Sequence, residues 1–483
     1  MLICHGQCYG YSSDQWNYAV SEDCLYINVI RPSGYEGQKL PVGFWIHGGG
    51  FYAGGGVDQR YNASFMVQNS VNMGKPIMVV NFNYRLSAWG FLNSNEVAGT
   101  GQTNLGLKDQ RLAMHWVQEN IAAFGGDSSQ VTIWGESAGA ASVGYHLTAY
   151  GGRDDKLFRA AIMESGNPIS YGRLMGPEGY QSQYNALVNR TNCNGTLDTL
   201  QCLRTVSADQ LNAAINTTTM PLTTFQPSID GDIIEKFTSI QVANGQFVKV
   251  PIIDGANSDE GASFSPRGAN STQDFYNLLT APGPRSVPPA FANLILQAYP
   301  DDLSVNVIAS NGDGRPTSAL GSQFRRTASY YGDAVFIANR QLTCQTWAAA
   351  GVPAYCYRFN ALTANSPWDS GVQHFQEISF VFYNLQGVGY APVAMNPFEG
   401  LPQSYADLAQ LMDSDWVSFI HDLDPNSWRS SYNGSAAPWP VYDLSNPQDY
   451  VFDANVSSYA EPDTFRSQGI DLINANNVGV YHR

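Results

Sequence analysis

Three features of this 483-residue chain predict an α/β protein with a mostly parallel central sheet flanked by helices. Strand-length apolar runs alternate with helix-patterned segments, a serine stands where one strand turns into a helix, and another strand runs straight into three glycines. Apolar, β-branched stretches bounded by turn residues place strands at 25–30, 42–46, 77–83, 131–134, 159–163, 250–254 and 354–359. Apolar residues three and four apart place helices at 107–124, 138–149, 322–349 and 405–420. From about 180 to 246, and again from 272 to 350, helical spacing suggests insertions that decorate the top of the sheet and shape a pocket. No charge block, Ser/Pro tract or internal repeat marks a linker, so residues 1–483 are expected to form a single domain.

The serine lies in Gly135-Glu-Ser-Ala-Gly139, between the strand-like Gln130-Val-Thr-Ile-Trp134 and a run of small apolar residues at helical spacing. At such an elbow, side chains in place of the glycines would collide with the neighbouring strand and helix. The turn lifts Ser137 above the sheet, and the opening helix aims free N–H groups at whatever the serine attacks. A Gly-rich turn with a surface serine is the bland alternative, and the flanking elements argue against it. The glycine strand is Pro41-Val-Gly-Phe-Trp-Ile-His-Gly-Gly-Gly-Phe-Tyr52. Its loop presents unobstructed backbone N–H groups, as an oxyanion hole requires. A phosphate loop would need Gly-Lys-Ser/Thr or a Gly-x-Gly-x-x-Gly helix start, and neither follows.

A serine nucleophile needs a base and an acid to orient it, in the chain order Ser, acid, His on this type of sheet. Three histidines lie far enough downstream. His482 is penultimate, where fraying is expected. His421 ends an amphipathic pattern and is expected to cap carbonyls there. His374 follows the loop Ser366-Pro-Trp-Asp-Ser-Gly371, and catalytic groups favour loops on a rigid scaffold. His374 is therefore the candidate base. For the acid, Asp259 and Glu260 both fall just beyond the strand at 250–254, where ligands of open α/β sheets gather. Spacing leaves the choice between them open.

Ser21-Glu-Asp-Cys-Leu-Tyr-Ile-Asn28, Trp45-Ile-His-Gly-Gly-Gly-Phe51, Asn83-Tyr-Arg85, Asn104-Leu-Gly-Leu, Phe124-Gly-Gly-Asp127 and the elbow pentapeptide occur in order. So do Asn257-Ser-Asp-Glu-Gly261, Gly371-Val-Gln-His-Phe-Gln-Glu-Ile378 and Glu461-Pro-Asp-Thr-Phe-Arg466. From about residue 20 nearly to the end, the chain resembles type-B carboxylesterases and lipases, the carboxylesterase/cholinesterase branch of the α/β-hydrolases. The resemblance implies an α/β-hydrolase fold and a triad of Ser137, Glu260 and His374. It also implies oxyanion donors on Gly49, Gly50 and Ala138, and supporting roles for Glu136 beside the site and Ser165 behind the acid. Arg85 and Asp127 align with a buried structural ion pair. Cys193 and Cys202 match a disulfide of fungal relatives, and Cys24 matches one whose partner here is Cys4 or Cys8.

The activity so implied is hydrolysis of small-molecule carboxylic esters through an acyl-enzyme, with no cofactor or metal. Fungal lipases of this family carry a long lid in the loop closed by the Cys24 disulfide. Here only fifteen residues separate Cys8 from Cys24, or nineteen from Cys4, too few for such a lid, which favours soluble or modestly lipophilic esters over triacylglycerols. A sterol-ester or triacylglycerol lipase is the alternative. Cholinesterase activity is not expected: Trp16 stands near the family's choline-binding tryptophan but two residues short, and Ser263 occupies a position where cholinesterases place a phenylalanine. A binding protein on the same fold is the alternative from another class, and the three filled triad positions weigh against it.

Composition sets outer bounds. A net charge of −16 argues against nucleic acid, and no run of about 18 apolar residues suggests a membrane span. Cys344 and Cys356 could bridge a helix end to the next strand, while Cys4, His5 and Cys8 lack the spacing of a metal site. Sequons stand at Asn62, Asn189, Asn194, Asn216, Asn270, Asn433 and Asn455. With the expected disulfides they predict a secreted protein, although Met1-Leu-Ile-Cys-His-Gly shows no leader pattern. Type-B relatives also carry several dozen residues before the Ser-Glu-Asp-Cys segment, so either this sequence starts late or it is a shortened form. Only in the second case is a sheet edge expected to be lost.

Overall fold

The computed structural model describes residues 6–11, 18–215, 217, 224–306, 314–316, 319–364, 366–429 and 436–483. Cys4, His5, Trp16, Asn216 and Asn433 lie outside the described residues.

Eleven strands are described. β1 (Gly6–Gln7) and β2 (Ala19–Val20) form a small parallel pair. The main sheet comprises β3 (Ile27–Ile30), β4 (Leu40–Ile46), β5 (Met78–Phe82), β6 (Gly126–Glu136), β7 (Ala160–Glu164), β8 (Ile252–Asn257), β9 (Ala354–Phe359), β10 (Gln448–Phe452) and β11 (Tyr459–Pro462). Their order is β11-β10-β9-β8-β7-β6-β4-β5-β3, parallel except for the antiparallel strands β3 and β11 at the two edges. β4, β5, β7 and β8 are buried along their whole length, as expected of parallel strands covered by helices on both faces. The edge strand β3 is half-buried.

Helices at Leu105–Asn120, Ala138–Gly152, Ala338–Ala349 and Gln403–Asp422 match the predicted ones to within a few residues at most ends. The pattern read as one helix over 322–349 contains a five-residue π turn, Asp333–Ile337, between two α-helical stretches. The region 180–246 holds helices Pro177–Arg190, Thr199–Leu203, Ala208–Ile215 and Thr238–Ala243. Helices Thr272–Thr280 and Pro289–Ala298 open the later region. Disulfides join Cys8 to Cys24, Cys193 to Cys202 and Cys344 to Cys356. Among the described residues no helix is long and apolar enough to cross a membrane.

Three expectations need correction. Arg85 does not pair with Asp127. Its Nε and Nη2 donate to Asp109 at 2.8 and 2.7 Å, while Asp127 accepts from Ser129 and Gln130. Arg85 follows the carboxyl end of β5 and Asp127 opens β6, so parallel strands hold the two at opposite edges of the sheet. His421 does not cap its helix: Arg159 Nη2 takes the carbonyls of Ile420 and His421, and the imidazole pairs with Asp422 at 2.6 Å. Nor does the chain fray at His482, whose carbonyl accepts the Leu174 N–H at 2.8 Å.

Candidate active site

The parallel register brings the singled-out residues to one edge. Glu136 at the end of β6 lies opposite Glu164 of β7, which lies opposite Gly255 of β8. Ser137, Ser165 and Glu260 therefore leave the sheet beside one another at the carboxyl ends of three adjacent strands. His374 arrives from the connection after β9, and the glycine loop from the end of β4.

Ser137 adopts φ +56°, ψ −120° between β6 and the helix Ala138–Gly152. A positive φ at a non-glycine residue is strained, and here it is held by the Ser137 N–H to Glu164 carbonyl bond at 2.8 Å. Close packing explains the flanking glycines. A Cβ on Gly139 would strike the Ile46 carbonyl, and one on Gly135 would stand 2.5 Å from the Gly139 carbonyl carbon. Gly48 contributes a close approach that the motif alone did not single out. A Cβ there would lie 2.7 Å from Glu136 Oε2 and 3.1 Å from Ser137 Cβ, so the glycine loop packs directly on the elbow. Gly49 and Gly50 turn with φ of +97° and +62°. Their N–H groups and that of Ala138 make no hydrogen bond among the described residues.

Glu260, fully buried, accepts three hydrogen bonds: Ser165 Oγ at 2.5 Å, the Asn257 N–H at 2.7 Å and His374 Nδ1 at 2.6 Å. Its neighbour Asp259 instead accepts the Val372 N–H at 2.9 Å, two residues before His374. The pair that spacing left open thus divides the work: one carboxylate meets the imidazole, the other pins its loop. On the far side of the ring, Nε2 faces Glu136 Oε1 at 3.1 Å without hydrogen-bond geometry. Ser137 Oγ makes no hydrogen bond among the described residues. Phe336 stacks on the imidazole at 4.9 Å and Phe264 meets it edge-on at 5.0 Å. Phe336 comes from the π turn, a distortion that often marks functional sites and that periodicity smooths over.

The site is crowded with buried acids. Burial lifts the Glu136 carboxyl well above the ordinary carboxylate range, opposed by His374 and reinforced by Glu377 and Glu260. Burial and then Glu260 raise Glu377, whose Oε2 accepts from Asn257 Nδ2 at 2.5 Å, to about 7. For His374, burial favours the neutral ring, but Glu136 and Glu260 outweigh it and raise the pKa to about 9. Sequence reasoning missed Glu377, Phe264 and Phe336, because nothing local marks a residue as facing a distant imidazole.

A mostly parallel sheet with a strained serine elbow at its carboxyl edge defines an α/β-hydrolase. The structure of Aspergillus niger EstA superposes with a TM-score of 0.82 at 29% identity, covering 99% of this chain and 88% of that one. A solved PNB esterase gives 0.72 at 26% identity, over 96% and 88% of the two chains. Residues 4–464 match the model of the carboxylesterase family. Secreted lipase 1 of Botryotinia fuckeliana (strain B05.10) is 35% identical over 95% of this chain and 77% of its own length. Lipase 4 of Diutina rugosa is 34% identical over 94% and 79%. The chain belongs to the carboxylesterase family and is a carboxylic ester hydrolase.

Proposed function

We propose that the enzyme hydrolyses soluble or modestly lipophilic carboxylic esters by a Ser137–His374–Glu260 triad. His374 Nε2 takes the hydroxyl proton as Ser137 Oγ bonds to the ester carbonyl carbon. Glu260 keeps the ring oriented and stabilises its charged form. The N–H groups of Gly49, Gly50 and Ala138 receive the oxyanion. The carbon–alkoxy bond breaks, the alcohol leaves with the proton from His374, and water repeats the sequence on the acyl-enzyme to free the acid. Glu136 and Ser165 position the ring and the acid. The observation that carries this reading is the 2.6 Å His374–Glu260 hydrogen bond at the same sheet edge as a strained serine elbow and three N–H groups unpaired among the described residues.

A lipase acting on triacylglycerols is the second reading, favoured by relatives named as lipases. An extracellular location is supported by the three disulfides and by relatives named as secreted. Hydrolysis of p-nitrophenyl acetate and butyrate, with Ser137→Ala as control, tests the triad. A series of acyl lengths up to palmitate, below and above the solubility limit, separates esterase from lipase. Well-folded wild type no faster than the control would overturn the enzymatic reading.

A further inference from the structure

Arg285 lies in the connection between the helices Thr272–Thr280 and Pro289–Ala298. Its guanidinium stands 5.5 Å from the centre of the Phe264 ring, and Phe264 is the ring that meets His374 edge-on. One aromatic side chain thus separates this cation from the candidate base. Arg285 also acts on Tyr171, which stacks at 6.2 Å on Phe51 of the glycine loop and lies 6.1 Å from Phe336. Phe51, Tyr171, Phe336 and Phe264 form an aromatic wall running from the glycine loop to the imidazole, with Arg285 beside it.

No carboxylate among the described residues neutralises this arginine. Among the described residues it has no ion pair, and the groups that act on its charge are the phenols of Tyr331, Tyr171 and Tyr330. Its hydrogen bond to the Phe264 carbonyl is long at 3.4 Å. Arg285 is exposed to solvent, yet burial lowers its pKa. The side chain is open to solvent while the Phe264 ring covers one side of its guanidinium. In a chain with 41 acidic and 25 basic side chains, a cation left unpaired beside the site calls for an anion from outside. A carboxylate suits the planar, forked guanidinium, and partial desolvation by aromatic walls strengthens the pairing.

We propose that Arg285 is a specificity residue that pairs with a free carboxylate on the substrate, several bonds from the scissile carbonyl. This rests on the ester-hydrolase site proposed above. The carboxylate belongs either to the acyl part, as in a monoester of a dicarboxylic acid, or to the alcohol part, as in an ester of a hydroxy acid.

Two matched pairs distinguish these sources: mono-4-nitrophenyl adipate against 4-nitrophenyl hexanoate, and 4-(butyryloxy)benzoate against phenyl butyrate. For each pair, the anionic-to-neutral ratio of kcat/KM is measured in wild type, R285Q and R285K. We expect R285Q to lower the ratio about fivefold or more in at least one pair, mainly through KM. R285K should retain the greater part of the preference, and about 0.5 M NaCl should weaken it in the wild type. Ratios equal in wild type and R285Q for both pairs would overturn the inference. If wild type hydrolyses none of the four esters, the ester-hydrolase reading itself falls and the inference with it; turnover with ratios unchanged in R285Q removes only the role of Arg285.

Discussion

Two buried charge clusters lie at different places around the same sheet and obey different rules. Where the helix Ala338–Ala349 meets β10, Arg340 pairs with Asp449 and, at 2.7 Å, with Asp463. Tyr442 donates to Asp463 at 2.8 Å, and Gln341 to its carbonyl at 3.0 Å. At the carboxyl edge of β6 to β8, three buried carboxylates, Glu136, Glu260 and Glu377, surround one imidazole. There Glu136 Oε1, Glu377 Oε1 and His374 Nε2 all lack hydrogen-bond partners among the described residues. In the first cluster Arg340 answers both carboxylates it touches, though buried Asp254, which also feels Arg340 and Asp449, has neither oxygen hydrogen-bonded among the described residues. The second has no arginine ion pair among the described residues: its three carboxylates surround a single imidazole, which costs stability and fits the proposed formation of a positive charge on that ring during turnover.

If that contrast is right, truncations at the two clusters should fail differently. The largest effect is expected at the elbow. Ser137→Ala should lower kcat/KM on p-nitrophenyl butyrate on the order of 10⁵-fold with an unchanged unfolding midpoint. Comparable turnover in the variant would remove the serine from the mechanism. Glu260→Gln should misorient the ring and cost on the order of 10³- to 10⁴-fold in kcat, again with little change in folding. Near-normal turnover there would reassign the acid, with Asp259 next to be tested. Arg340→Met should do the reverse. Leaving Asp449 and Asp463 without their cation should cost about 3–5 kcal/mol in a denaturant titration, while kcat per folded molecule holds.

The smallest expected effect is a shift in pH dependence. Glu136 and Glu260 raise His374 to about 9, and a general base must be neutral to accept the serine proton. Activity should therefore rise with pH toward that value. Glu136→Gln removes a negative charge that favours the imidazolium, so the ring loses its proton more readily and the acid limb of kcat/KM moves to lower pH. A limb that stays in place would mean that Glu136 is itself protonated in the working enzyme.

Much of the scaffold was legible because its signals are local. The strand at 354–359 was read to the residue, and the elbow glycines follow from steric contacts any such turn imposes. β10 and β11 were missed: Gln448-Asp-Tyr-Val-Phe452 carries two polar residues at its start, and Tyr459-Ala-Glu-Pro462 is short and exposed at both ends. The Arg85 partner was misread because charge pairing depends on which end of a strand each residue occupies, and resemblance alone carried the assignment to Asp127. His374 could be singled out by elimination, whereas its aromatic neighbours Phe264 and Phe336 are set by tertiary packing. Trp16, the one residue weighed for a cation-binding role, lies outside the described residues.

The most direct measurement is the site of covalent capture by a serine-directed organophosphate such as diethyl p-nitrophenyl phosphate, read by peptide mass spectrometry alongside residual activity. The account predicts one diethylphosphoryl group, on Ser137, accumulating in step with loss of ester hydrolysis and absent when His374 is replaced by alanine. Full inactivation with the label on another residue, or full labelling of Ser137 with hydrolysis intact, would contradict it.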